Sequence, residues 1–353
     1  MFASILRSWY DENGRFLPWR ETNDAYHIWL SEVILQQTRI AQGTDYYLRF
    51  IHEFPTVFDL AAASEQQVLK CWQGLGYYSR ARNLLAAAKQ VVDLYGGSFP
   101  QSVPELLKLK GVGRYTAAAV ASFAFRVPVP VIDGNVYRFI SRYFDVATPI
   151  GTDSAYKEFE ALLLKLIDTE RPDLFNQALM DFGSLVCKPQ DPLCEDCPFK
   201  LSCRAFRLGK VSLLPVKMAH AKISRRFFYY LDVDILDADG CHRTWMSQRI
   251  GNDIWKGLYE FPLIEVPQRL SDSQLTTLVD EWFSQHTDVL PEQVSFSSVF
   301  LHQLTHRTIE ARFISVKIFG HPFLNPEKSL LLHRSEIYSL PISRLIDKYL
   351  SQL

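Results

Sequence analysis

Four cysteines within seventeen residues, Cys187, Cys194, Cys197 and Cys203, have the spacing C-x6-C-x2-C-x5-C. Four thiolates this close in sequence can converge on one metal centre without organising the rest of the chain. One C-x2-C pair with looser flanks suits structural zinc and an iron-sulfur cluster about equally, and spacing alone leaves both open. A disulfide framework fits poorly, because only Cys71 and Cys241 remain in a long chain that reads as reduced. Upstream, Lys110-Gly111-Val112-Gly113-Arg114-Tyr115 places glycines two apart before a helical pattern. Such a turn brings backbone amides close to a phosphate oxygen, or simply joins two helices. Two carboxylates complete the set. Glu32 follows Ile28 and Trp29 by one turn and precedes Leu35, neighbours that can desolvate it and keep it protonated as a general acid. Asp133 opens Asp133-Gly134-Asn135-Val136 after an apolar run. It reads as a helix N-cap or as an anion held beside a developing cation, and spacing does not choose.

The elements that must position these residues change character along the chain. Helical patterns run over 26–37, 65–73, 79–94, 103–109, 115–125, 136–143, 154–167 and 174–186, with Gly74, Gly96, Gly97, Pro100, Gly111 and Pro128 in the connectors. Residues 211–224, with Pro215, Lys217 and Lys222 and no hydrophobic period, read as a linker. Beyond it, 226–236, 245–249, 258–266 and 299–318 have strand character, and 271–285 and 342–350 have helical periodicity. The expectation is an all-α domain over 1–210, with a helix-hairpin-helix at 105–125 and a cysteine loop at 187–203, then a smaller α+β domain over 225–353.

The 353 residues are 48% hydrophobic and 22% charged, which excludes disordered and fibrous classes and is enough for two domains. Net charge is -1, with 25 Lys and Arg against 23 Asp and Glu up to residue 224, and 13 against 16 beyond it. A nucleic-acid partner would therefore be held by backbone amides and a local patch, not by a general positive field. Arg7, Asp11 and Glu12 near the start, and no apolar run near the roughly 18 residues of a membrane span, give the expectation of a soluble cytoplasmic protein.

Leu17-Pro18-Trp19-Arg20, the segment from Ser31 to Thr38, Trp72-Gln73-Gly74-Leu75-Gly76-Tyr77-Tyr78, the hairpin at 109–116, Asp133-Gly134-Asn135-Val136 and the cysteine loop occur in order. Together they strongly resemble the adenine DNA glycosylase family of the helix-hairpin-helix iron-sulfur superfamily. Arg249 with Trp255-Lys256-Gly257-Leu258-Tyr259-Glu260-Phe261-Pro262 resembles the start of that family's Nudix-like domain. The resemblance implies a 4Fe-4S cluster on Cys187, Cys194, Cys197 and Cys203. It implies a base-excision-repair activity on adenine opposite 8-oxoguanine or guanine in double-stranded DNA, from a nucleoid-associated monomer of bacterial type.

By the same resemblance, Glu32 protonates the flipped adenine at N7 and Asp133 stabilises the oxocarbenium ion, with Tyr115 and Asn135 holding Asp133. Trp19, Arg20 and Gln177 match the adenine pocket, Gln37 and Tyr77 match side chains inserted into the base stack, and Gly111 and Gly113 match the DNA-gripping hairpin. Thr305 and His306, in Gln303-Leu304-Thr305-His306-Arg307, match the family's Phe-Ser-His lesion-contacting loop, with leucine in place of the aromatic and His302 as a competing register. Endonuclease III-type relatives carry a Schiff-base lysine where this chain has Tyr115, which implies a monofunctional enzyme. Lys188, Lys200, Arg204 and Arg207 near the cysteines are expected to meet phosphates. The segment after Gly257 lacks the Arg-Glu and Glu-Glu elements of a Nudix box, so phosphate hydrolysis is not expected.

Overall fold

The computed structural model describes residues 1–218, 223–237, 239–287, 289, 291–319 and 329–353. Lys222 of the expected linker lies outside them. The chain forms two compact units, Met1–Ala62 with Asn83–His220, and Ala63–Arg82 with Ala221–Leu353. Sequence reading puts residues 63–82 in the first domain, but here they pack with the C-terminal sheet.

The helices in chain order are α1 (Phe2–Asn13), α2 (Ala25–Leu35), α3 (Ile40–Glu53), α4 (Val57–Ala62), α5 (Glu65–Trp72), α6 (Ser79–Tyr95), α7 (Val103–Leu106), α8 (Arg114–Phe125), α9 (Gly134–Phe144), α10 (Asp153–Leu164), α11 (Pro172–Leu185) and α12 (Arg204–Arg207). In the first unit α8 is central. Its run of Ala117, Ala118, Ala119 and Ala121 is almost wholly buried, and alanine both favours the helix and lets neighbouring backbones come close. A second apolar cluster joins Phe2 and Leu6 of α1 to Phe139 and Ile140 of α9, Phe159 of α10, Phe182 of α11 and Phe199 of the cysteine loop. The first half of the expected linker is fixed to this unit: Leu214 is buried and Ile150 donates its amide to Val216 O at 2.9 Å.

The second unit contains β1 (Ser224–Leu236), β2 (His242–Gln248), β3 (Tyr259–Glu260), β4 (Leu263–Val266), α13 (Asp272–His286), β5 (Gln293–Phe296), β6 (Phe300–Gln303), β7 (Arg307–Phe319), β8 (Ser329–His333) and α14 (Arg344–Leu350). The long strands β1 and β7 pair in parallel from Ser224 opposite Arg307 to Leu236 opposite Phe319, and their other partners are antiparallel. Side-chain alternation divides the strands between two faces. Tyr229, Leu231, Val233, Ile235, Ile314 and Val316 meet Leu275, Val279 and Phe283 of α13. On the other face Tyr230 stacks on Phe313, which stacks on Tyr349 of α14 at 3.8 Å. The α+β expectation holds, with differences: the strand expected over 258–266 is two, separated at Pro262, which has no amide to give a ladder, that over 299–318 is also two, β6 and β7, and β5 and β8 were not expected. Among the described residues no helix is long and apolar enough to cross a membrane.

Candidate active site

A cavity of about 630 Å³ in the first unit is lined by Trp19, Arg20, Glu32, Tyr115, Asp133, Asn135 and Gln177, among others. Seven of the expected residues therefore converge, from α2, α8, α9, α11 and the turn before α2. Glu32 is 5% exposed, with Ile28 and Leu35 of its own helix lining the same space. Burial pushes its carboxyl up to about 7, against the lowering pull of a hydrogen bond from Tyr115 and of the Arg20 charge, and Asp133 adds to the rise. Tyr115 donates to Glu32 Oε2 at 2.5 Å. The sequence expectation had Tyr115 holding Asp133, but the first turn of α8 faces Glu32 on α2. With Oε2 occupied, Oε1 is the oxygen left to carry a proton into the cavity.

Asp133 is the N-cap of α9 and also faces the cavity, so the two readings of it coincide. Its Oδ1 accepts from the amides of Asn135 at 2.8 Å and Val136 at 2.7 Å, and its Oδ2 from Asn135 Nδ2 at 2.6 Å. Burial raises its pKa while these bonds and Arg138 oppose the rise. Asn135 thus does hold Asp133, and its own amide is oriented by Arg138, whose Nη2 donates to Asn135 Oδ1 at 2.8 Å. Arg138 also donates to Gly183 O at 2.6 Å and, through Nε, to Cys187 O at 2.7 Å. One side chain therefore ties the carboxylate's support to the start of the cysteine loop.

Sequence reasoning missed Arg138 and also Asp181, a fully buried carboxylate on α11. Asp181 accepts from Arg20 Nη1 at 2.8 Å and Nη2 at 3.0 Å, and from Arg15. Those charge-assisted bonds hold its pKa below the usual aspartate value although burial works the other way. Arg20 is thereby fixed in the pocket wall. Tyr10 donates to Gln177 Oε1 at 2.9 Å, which leaves the Gln177 amide hydrogens for the cavity. A signal was present: Asp173, Gln177 and Asp181 recur every fourth residue on a helix that has only Asn176 and Ser184 as further polar side chains.

Gly111, Gly113 and Gln37 do not line this cavity. Gly111 has φ +75°, and a Cβ there would lie 2.6 Å from Asn83 Cβ, so the turn requires glycine. Gln37 is exposed with φ +58°. Tyr77, in the second unit, is likewise exposed with φ +50°. Each residue expected to enter a base stack is thus held in left-handed backbone that a non-glycine residue rarely adopts.

Tyr77 lines a cavity of about 610 Å³ in the second unit with Arg82, Trp255, Thr305, His306 and Arg307. Its hydroxyl lies 2.5 Å from Thr305 Oγ1. Leu304, Thr305 and His306 form the turn between β6 and β7, while His302 sits within β6, edge-on to the Trp255 ring at 5.4 Å. His302 is a packed strand residue and the exposed turn carries Thr305 and His306.

Cys187, Cys194, Cys197 and Cys203 line one cavity walled by Phe139, Phe182, Phe199 and Phe206, and none is in a disulfide. Among the described residues no three His, Cys, Asp or Glu close around a point as a single metal ion requires. Four sulfur donors around a shared apolar cavity, with the Arg142 cation 3.4 Å from Cys187 Sγ, fit an anionic, thiolate-ligated metal centre. Of the basic residues nearby, Lys200 pairs with Glu195 at 2.5 Å, Arg204 and Arg207 are exposed, and Lys188 is half-buried.

Residues 30–168 match the family model described as HhH-GPD superfamily base excision DNA repair protein. The adenine DNA glycosylase of Rattus norvegicus is 45% identical over 226 residues, 61% of this chain and 44% of that protein. The adenine DNA glycosylase of Arabidopsis thaliana is 33% identical over 360 residues, 89% and 57%. The chain thus spans about half the length of these relatives. Among solved structures, a thermostable thymine-DNA glycosylase has TM-score 0.55 at 30% identity over 59% of this chain and 95% of that one. A trapped endonuclease III–DNA covalent intermediate has TM-score 0.52 at 27% identity over 59% and 94%. The adenine DNA glycosylase of Buchnera aphidicola subsp. Baizongia pistaciae (strain Bp) is 31% identical across 88% of this chain and 84% of its own length, so the chain belongs to the adenine DNA glycosylase family.

Proposed function

We propose that the protein hydrolyses the N-glycosidic bond of adenine opposite 8-oxoguanine or guanine in duplex DNA and leaves an abasic site. The observation that carries this reading is a carboxyl poised near neutrality, Glu32, sharing one enclosed cavity with an amide-braced carboxylate, Asp133. Adenine leaves poorly as an anion. Glu32 Oε1 gives its proton to N7 of the flipped base, the electron pair of the C1′–N9 bond goes to the now neutral leaving purine, and Asp133 lies against the cation developing at C1′. Water adds to C1′ and its proton returns to the Glu32 carboxylate, which restores the acid. Trp19 offers a ring face, while Gln177 and Arg20 offer donors to a base held there.

Among the described residues no lysine lines this cavity, and Tyr115 is committed to Glu32. Schiff-base chemistry needs an amine at the sugar, so these facts support a monofunctional glycosylase with little strand cleavage. The four cysteines would hold a 4Fe-4S cluster, whose contribution is to crosslink the loop, since hydrolysis transfers no electron. Tyr77, Thr305 and His306 bound the second unit's cavity, and this supports a lesion-reading role for that unit.

The test uses duplexes that differ only in the base opposite adenine, treated with alkali after incubation and resolved on a denaturing gel. Excision peaks opposite 8-oxoguanine, depends on alkali for strand breakage, and is lost in Glu32→Gln and Asp133→Asn variants that still bind duplex. Full activity in either variant removes the role given to that carboxylate.

A further inference from the structure

The catalytic cavity is longer than its proposed substrate needs. Tyr115 lies in the first turn of α8 and Arg126 caps the other end of that helix, yet both line the cavity. Eleven residues of helix separate them, about 17 Å at 1.5 Å per residue, whereas a purine is shorter than two helical turns, about 11 Å. The two other lining helices have matching polarity. Along α11 the lining residues run from Asp173 and Leu174 through Gln177 to Ser184, and Gly183 beside Ser184 abuts Asn135. Along α2 they run from Thr22 and Asn23, just before the helix, through Glu32 to Leu35, and Gln36 bonds Thr116 of α8 at 3.1 Å. One end therefore holds Asp133 and Tyr115, and the opposite end holds Arg126, Arg171 and Asp173, with Asn23 lining the same cavity just before α2.

That opposite end is open. The Arg126 and Arg171 side chains are 55% and 39% exposed, and both lean on the buried Asp173 carboxylate, Arg171 through two bonds of 3.1 and 3.0 Å and Arg126 at 3.8 Å. The glycine hairpin expected to hold DNA phosphates lies at the start of α8, a helix length away from this mouth. A duplex seated on the hairpin covers the Asp133 end and leaves the Arg126 end in contact with water.

We infer that the cavity is a passage with a rear mouth between Asn23, Arg126 and Asp173, through which the excised purine leaves while the abasic duplex is still bound. The inference rests on the glycosylase reading above. A neutral planar base sliding along Trp19 meets two guanidinium planes at the mouth, exposed surfaces on which stacking is worth only about 0.5–1 kcal/mol. Because the base need not wait for the DNA to dissociate, reversal of the cleavage step is suppressed while the abasic duplex remains bound.

The experiment uses the full chain with its metal centre loaded and a duplex carrying radiolabelled adenine opposite 8-oxoguanine. After a single turnover with enzyme in excess, protein-bound DNA is captured on a filter at successive times and free adenine is counted in the filtrate. In the wild type, adenine appears in the filtrate while the abasic duplex stays on the filter. Asn23→Trp, at an exposed position, narrows the mouth and slows adenine release by roughly tenfold with the cleavage rate unchanged, whereas Arg126→Ala does not slow it. Adenine that stays with the bound duplex in the wild type, or release unaffected by Asn23→Trp, overturns the passage. If no adenine is cleaved from the sugar by the wild type, the glycosylase reading fails first, and the filter record separates that result from retention of a cleaved base.

Discussion

At the scale of single residues, the argument turns on why one carboxyl is protonated and another braced. Glu32 is buried and Asp133 half-buried, but among the described residues Glu32 has Tyr115 as its one hydrogen-bond donor, whereas Asp133 is given two helix amides and an amide side chain. The Glu32 carboxyl at about 7 must be protonated to act, so single-turnover excision falls as pH rises through that value. The linkage to stability has the same direction. The folded state binds a proton that the unfolded chain has released between the ordinary glutamate value of 4.5 and about 7, so this group's contribution to stability declines as pH rises through that window. Glu32→Gln removes the penalty. It should melt at a higher temperature than the wild type at pH 8, the difference shrinking towards pH 4, while excision is lost at both. Calorimetry across that range checks it, and a variant that melts below the wild type at pH 8 would contradict burial as the cause of the shift.

At the scale of elements, α9 is the piece that links two chemistries. Its first turn caps onto Asp133, and its second and third turns carry Arg138 and Arg142, four residues apart on one face, into the cysteine loop. Arg138 holds Asn135 Oδ1, Gly183 O and Cys187 O together. Arg138→Ala frees the Asn135 amide from its orientation and the loop from its anchor. We expect kcat to fall roughly 10- to 100-fold with duplex affinity retained, and iron to be lost faster to a chelator. Unchanged kcat with a labile metal centre would separate the two ends of this link. The helix itself was legible from its pattern, whereas Glu32, Asp133 and the cysteines were candidates by local motif whose roles only the family resemblance chose, because spacing leaves an N-cap, a face glutamate or a zinc site open. The Tyr115 partner was not, since nothing local tells which of two carboxylates on other helices its hydroxyl will reach. Helices α1 and α3 were overlooked for a similar reason: their apolar faces are filled in from distant elements, as when Phe2 packs on Phe139 and Phe199. The break at Pro262 and the turn at Leu304 to His306 needed the sheet register before they had meaning.

At the scale of the whole chain, the least expected feature is that residues 63–82 belong with the C-terminal unit. Their bonds explain it. Lys70 Nζ donates to Tyr338 O and Leu340 O, Gln73 Oε1 accepts from the Ile342 amide, Tyr78 donates to Ile342 O at 3.4 Å, and Arg82 donates to Lys256 O at 2.6 Å. Gly257, at φ +85°, lies so close to Glu65 and Leu69 that a Cβ would meet them at 2.8 and 2.9 Å. A chain cut after residue 224 keeps every residue proposed to be catalytic but strips α5 and the Tyr77 turn of these partners. At about 1 kcal/mol for each of the three hydrogen bonds made by Lys70 and Gln73, the local opening free energy of α5 falls by roughly 3 kcal/mol. Amides of α5 should then exchange roughly a hundredfold faster than in the full chain, while those of α8 and α9, packed in the other unit, keep their protection. Hydrogen exchange read by mass spectrometry distinguishes this from general destabilisation, in which all helices speed up together. The same truncation should weaken discrimination of the base opposite adenine more than it slows excision, because Tyr77 and Thr305 act as one hydrogen-bonded pair and the cut removes one of them.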